Sequence, residues 1–142
     1  MKVRTLSAND APQIAALNAQ LGYAADVDEV RRRLERIASK SDHWVLGAEG
    51  PEGLLGFVHF FERPSIEKGF DMVIQSLVVD ARRRGAGVGR ILMEAAETAA
   101  KSQGITSVTL SSRVDRLDAH GFYAALGYKV VATSNAFAKD IG

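Results

Sequence analysis

Apolar residues recur along this chain with two periods, and each switch between them marks a change of element. Residues 3–6 alternate as a short edge strand. Ser7 or Asn9 can cap a helix that begins near Ala11-Pro12, since proline suits a first helical turn. Ile14, Leu17 and Leu21 make its apolar face, and Gly22 ends it. Asp26 or Asp28 opens a second helix through Val30, Leu34 and Ile37. The pattern then becomes strand-like. Residues 44–48 and 54–61 form the arms of a hairpin around a Gly-Pro-Glu-Gly turn. Residues 72–79 are apolar on both faces apart from Gln75 and Ser76, which suits a central, doubly covered strand. Residues 88–102 return to helical spacing, with Ile91, Leu92, Ala95 and Ala99 as the expected buried stripe. A strand over 107–112, a short helix over 118–126, a strand over 128–133 and a last short strand over 136–139 complete the order. The fold class is α/β: a mixed, mostly antiparallel twisted sheet flanked by helices.

Composition changes this picture little. The 142 residues suit one domain, and 46% apolar with 25% charged is an ordinary balance for a soluble protein. A net charge of +1 argues against bulk nucleic acid or an anionic membrane as partner. No apolar run reaches membrane-spanning length. The first residues lack a secretory apolar core, so a cytoplasmic protein is expected. The absence of cysteine excludes disulfides, thiolate metal sites and thiol nucleophiles. His43 and His59 show no metal-ligand spacing, so no metal is expected; His59 reads as a packed or hydrogen-bonded histidine. Arg31, Arg32, Arg33 and Arg36, beside Glu29 and Glu35, read as a solvated helix face.

The chemistry gathers between residues 77 and 90. A strand ending in Leu77-Val78-Val79 runs into Arg82-Arg83-Arg84-Gly85-Ala86-Gly87-Val88-Gly89-Arg90, and a helix follows. A helix start offers outward N–H groups and partial positive charge, which together bind anions such as a pyrophosphate. Gly85, Gly87 and Gly89 clear space for close approach of phosphate oxygens, and the arginines add forked donors. The spacing is neither the dinucleotide G-x-G-x-x-G nor a P-loop.

This run resembles the acetyl-CoA signature Arg/Gln-x-x-Gly-x-Gly/Ala of the GCN5-related N-acetyltransferase (GNAT) superfamily. Arg84-x-x-Gly87-x-Gly89 fits it, and so does the frame starting at Arg82. The helix around Ala119, Phe122, Tyr123, Gly127 and Tyr128 is similar to the superfamily's downstream A-x-x-F-Y-x-x-x-G-F/Y element. The resemblance identifies a small bacterial-type single-domain member spanning the whole chain. It implies the GNAT acyl-CoA fold, acetyl-CoA as co-substrate, and direct attack of an amine on the thioester. Leu77, Val78 and Val79 would pair with the pantetheine, and Arg84, Gly85, Ala86, Gly87, Val88, Gly89 and Arg90 would cradle the pyrophosphate. Tyr123 matches the position that supplies the acid. The base is expected at Asp71, with a water chain at Gln75 or Ser76 as the alternative. Tyr23, Arg113, Arg116 and His120 are candidate contacts for a small-molecule amine. A protein or peptide acetyltransferase and a non-catalytic acyl-CoA sensor stand as the alternatives. A homodimer meeting through residues 128 onward is the superfamily expectation.

Overall fold

The computed structural model describes residues 1–142, which divide into two compact units, Met1–Leu110 and Ser111–Gly142. In the first unit the strands are β1 (Lys2–Thr5), β2 (His43–Gly50), β3 (Gly53–Ser65), β4 (Gly69–Val79) and β5 (Val108–Leu110). Its helices are α1 (Ala11–Ala19), α2 (Val27–Ala38) and α3 (Val88–Ser102). The second unit carries α4 (Leu117–Ala125).

Local chemistry explains the helix starts. Ser7 caps a single 3-10 turn ahead of α1, and the Asp10 carboxylate accepts the Ser7 N–H at 2.8 Å, a complete capping box. Asp26, not Asp28, caps α2 by accepting the Glu29 N–H at 2.8 Å. Arg4 then fixes β1 to this corner, donating to Asp10 at 2.8 Å and to Glu49 at 2.9 Å.

The sheet order is β1-β2-β3-β4-β5, antiparallel through β4, with β5 parallel to β4. Side chains alternate across it. Phe57 and Val78 face α1 and α2 and share a core with Ile14, Leu17, Val30 and Leu34. Val58, Phe60, Met72 and Ile74 point to the other face, and α3 packs on β2, β3 and β4. The buried residues of α3 are Val88, Leu92, Met93, Ala96 and Ala100. The expected stripe was therefore right at Leu92 and one residue early elsewhere: Ile91, Ala95 and Ala99 are half-buried. Each fully buried aliphatic or aromatic side chain contributes about 1.5–3 kcal/mol of transfer free energy, so these two layers carry the stability.

The strands expected over 128–133 and 136–139 do not form. No ladder includes them, and Val130, Val131 and Phe137 are 80%, 90% and 94% exposed. A strand exists only with a partner to complete its backbone bonds, and here none is supplied.

Gly56 sets how closely β3, β4 and α3 approach. A Cβ there would lie 2.6 Å from the Val78 carbonyl oxygen and 3.2 Å from Val88 Cγ1. Gly56→Ala should lower the unfolding free energy by about 1–3 kcal/mol, the cost of overpacking a closed core. Urea unfolding reads this as a lower midpoint at unchanged slope. An unchanged midpoint would mean the strands part at no cost.

Candidate active site

β4 has two neighbours for only part of its length. Its pairing with β5 covers Met72, Val73 and Ile74, whereas β3 accompanies it to Val79. The change comes at Gln75, which has no partner on β3: Phe60 pairs with Ile74 and His59 with Ser76. Such a bulge bends the strand and increases its twist. Beyond it the β5 side of β4 is an open edge. The Asp80 N–H bonds back to the Leu55 carbonyl at 2.8 Å, so by strand alternation Val79 and Leu77 turn their backbone groups outward to that edge. An extended ligand with amides can pair there as an added strand.

The edge leads into the arginine–glycine turn, which is braced from beneath. The buried Asp80 carboxylate accepts from the Arg82 backbone N–H at 3.0 Å and from its guanidinium at 3.2 and 2.9 Å. These hydrogen bonds hold the Asp80 carboxyl well below the usual carboxylate range. Gln20, at the end of α1, accepts the Ala81 N–H at 2.8 Å and donates to Asp80 at 3.4 Å. Above this brace the turn is bare. Gly85 and Gly87 both have φ of +84°, which favours glycine, and a Cβ at either would meet nothing within 4 Å. Gly87 opens α3 with no side-chain cap, so the first N–H groups of α3 face outward without a side-chain partner. Arg82 is committed to Asp80, Arg83 stands 3.8 Å from Glu52, and Arg90 stands 3.9 Å from Glu94. Arg84 has no ion-pair partner and is the arginine free to meet an anion. Gly89 lies in the first turn of α3 and is buried.

On the α1/α2 face, a cavity of about 200 Å³ begins where the open edge begins. Ser76 of β4, His59 and Phe57 of β3 and Val45 of β2 form its floor. Ile14, Asn18, Val30, Arg33, Leu34 and Ile37 of α1 and α2 form its walls. A second cavity of about 270 Å³ adjoins it, sharing Arg33 and Ile37 and adding Arg36, Lys40 and His43. His59 Nε2 and His43 Nδ1 are 2.9 Å apart and hydrogen-bonded, linking the two cavities. Burial, and then the neighbouring His43 charge, push the His59 ring down to about 4.

Asp71 stands elsewhere. Arg63 of β3 clamps it with bonds of 3.1 and 2.7 Å, and the Thr109 hydroxyl of β5 donates to it at 2.7 Å. Burial alone would raise this carboxyl, but the bonds from Arg63 and Thr109 prevail and lower it. It is an ionised clamp across three strands, about 20 Å along β4 from Leu77 at ~3.3 Å per residue, and lines neither cavity. The base expected at Asp71 is corrected on these grounds. Tyr23 lies between α1 and α2 and is 69% exposed.

In the second unit, Tyr123 of α4 is half-buried and packs edge-on against Phe122 and Tyr128, with centroids 5.1 and 6.1 Å apart. Burial raises its hydroxyl above the ordinary tyrosine range against the opposing pull of Arg116, so it stays protonated at neutral pH. Arg113 donates to Asp115 at 3.2 and 3.0 Å, and Arg116 stands 3.6 Å from Asp118. The His120 Nε2–H donates to the Arg113 carbonyl at 2.8 Å, which ties the start of α4 to the preceding loop.

The model of the acetyltransferase (GNAT) family matches residues 12–128. The chain belongs to the GNAT family of acetyltransferases. An uncharacterised N-acetyltransferase of Bacillus subtilis (strain 168), YhdJ, is 31% identical over 104 residues, 73% of either chain. The aminoglycoside antibiotic 6'-N-acetyltransferase of Acinetobacter haemolyticus superposes with a TM-score of 0.86 over 100% of both chains, at 17% identity. Glucosamine-6-phosphate N-acetyltransferase of Arabidopsis thaliana gives 0.84 over 98% of both chains, at 24% identity. These likenesses fix the GNAT fold, and acetyl-CoA is the family's co-substrate.

In this GNAT chain, sequence reading missed the Gln75 bulge, the Asp80–Arg82–Gln20 brace and the histidine pair. Asp80 carried the one local signal, an acid placed two residues before an arginine at a strand end.

The histidine pair has a consequence for acid stability. An unfolded His59 takes a proton near pH 6.5, whereas the folded ring holds out to about 4. The unfolded state therefore binds more protons between these values, and stability falls as pH drops through that window. Discounted for the ring's partial exposure, the loss is about 1–2 kcal/mol. His59→Gln should remove it. Urea midpoints at about pH 7 and about pH 4.5 test this; an equal acid loss in both proteins would assign it to other groups.

Proposed function

We propose that this chain moves an acetyl group from acetyl-CoA to a primary amine of a small molecule by direct attack. One observation carries the reading. The open β4 edge has an uncapped helix start with bare glycines at one end and a cavity at the other. That is the sequence of anion, amides and reacting group along an acyl-CoA. The pyrophosphate would rest on Arg84, Gly85, Ala86, Gly87 and the first N–H groups of α3, with Arg90 nearby. Leu77 and Val79 would pair with the pantetheine amides, and the thioester would reach Ser76. A 200 Å³ chamber with mainly apolar walls fits a compact amine better than a polypeptide segment.

Tyr123 is our candidate for the acid that protonates the leaving thiolate, because it stands at the position of the family motif that supplies this acid and a tyrosine hydroxyl carries its proton at neutral pH. Arg113, Arg116, His120 and Tyr23 remain candidates for holding the acceptor. We also propose a homodimer that meets through residues after Tyr128, on the strength of Val130, Val131 and Phe137, whose exposed apolar side chains favour a second copy as cover.

Thiol release from acetyl-CoA tests the activity against a panel of compact amines: glucosamine 6-phosphate, 2-aminoethylphosphonate, tyramine and spermidine. At least one should give turnover above hydrolysis. Gly87→Glu should abolish the acetyl-CoA-dependent rise in melting temperature, because it puts a carboxylate where phosphate belongs. Tyr123→Phe should keep that rise and lower kcat by about 10- to 100-fold. Thermal protection without thiol release from any amine would favour an acyl-CoA sensor.

A further inference from the structure

The cavity beside Ser76 contains one group able to take a proton. Arg33 stays charged, Asn18 and Ser76 are not bases, and the other lining side chains are apolar. No carboxylate lines this cavity or the adjoining one. We propose that His59 is the proton acceptor for the attacking amine, with His43 as the positioning residue that carries the proton onward to the outer cavity. The proposal rests on the acetyl-transfer reading above.

The geometry supplies a wire. With His43 accepting at Nδ1, His59 Nε2 carries the shared hydrogen and its Nδ1 lone pair is free. The amine nitrogen attacks the thioester carbonyl carbon, the C–N bond forms and the C–S bond breaks. Coenzyme A leaves as thiolate and takes a proton from the acid. The surplus proton on the amine nitrogen moves to His59 Nδ1. The Nε2 proton of His59 passes to His43 Nδ1, and His43 Nε2 releases its own to water. Charge is conserved at each transfer, and both rings end neutral.

The surroundings favour this direction. Arg33 of α2 stands over both cavities, and Arg36 and Lys40 of α2 flank His43 of β2. β4 contributes only the neutral Ser76 opposite His59. A proton arriving at His43 therefore meets cations on the helix side and is driven to solvent. Burial keeps His59 neutral at physiological pH, hence ready to accept.

The test uses the full chain, acetyl-CoA and the fastest amine of the panel, with kcat measured from about pH 3.5 to 9, so that the window spans the His59 limb near 4. His59→Gln should lower kcat about 100-fold, leave KM for acetyl-CoA within about two-fold, and lose the acid limb of the wild-type profile. His43→Gln should lower kcat less, about 10-fold, and move that limb to higher pH, since the His43 charge helps depress His59. Acetyl-CoA-dependent thermal protection checks that each variant folds and binds donor. His59→Asn serves if the glutamine variant does not fold. Ring-nitrogen NMR gives a readout without turnover: the His59 titration should shift upward in His43→Gln. Full kcat in His59→Gln, an unmoved acid limb in His43→Gln, or a His59 titration indifferent to His43 overturns the proposal while leaving acetyl transfer intact. Wild-type failure to release thiol with every amine removes the transfer reading itself, and this proposal with it.

Discussion

A strand that loses one neighbour in mid-course leaves a row of backbone donors and acceptors that something must satisfy. β4 is in that position from Gln75 to Val79: β5 has stopped at Ile74, and β3 still holds the other side. The remainder of the site follows from this one feature. The bulge that accompanies it turns Ser76 and His59 toward α1 and α2, where a cavity can form. The edge itself suits a ligand that is extended and rich in amides. The strand then ends at Val79, and Asp80 follows it, two residues before the arginines begin. Chain direction therefore puts the cavity, the open edge and the uncapped start of α3 in succession along β4.

The turn at the anion end divides its charges between bracing and binding. Asp80 is buried and would be costly to leave alone, so it recruits Arg82 and Gln20. That brace sets the path of the chain before any ligand arrives and limits the ordering cost of binding. Arg82 is thereby withdrawn from the ligand. Arg84, which shares the motif frame with Gly87 and Gly89, is left unpaired. Of the two frames that fit the family signature by sequence, one begins at an arginine already paired with a carboxylate and the other does not, which is why Arg84 is the one proposed to meet the anion.

What the sequence made legible is what local signals encode. α3 spans the residues its periodicity predicts, and the glycines with positive φ fall where turns are needed. The segment proposed to hold the donor could be nominated from sequence because its parts are contiguous. The acceptor half depends on register. His43 and His59 are sixteen residues apart and meet only through the antiparallel pairing of β2 and β3. Asp71 looks like a catalytic carboxylate until Arg63 is found directly across from it on β3. Nothing in the spacing of apolar residues marks Gln75 as a bulge. The segment after Tyr128 has strand-like composition but joins no sheet ladder, so composition alone overstated its structure.

The cavity proposed for the acceptor has an electrostatic character that complements the proposed reaction. A primary amine in water carries a proton, and only its neutral form can attack. A chamber with a carboxylate would hold the ammonium and oppose that step. This one offers a neutral imidazole and the Arg33 guanidinium, which Glu29 offsets only partly at 3.4 Å. A fixed like charge and an apolar lining both disfavour the ammonium form and depress the amine's pKa on entry. Under the proposed reaction the walls would begin the deprotonation, and Asp71, clamped by Arg63 and Thr109 outside the cavity, would not work against it.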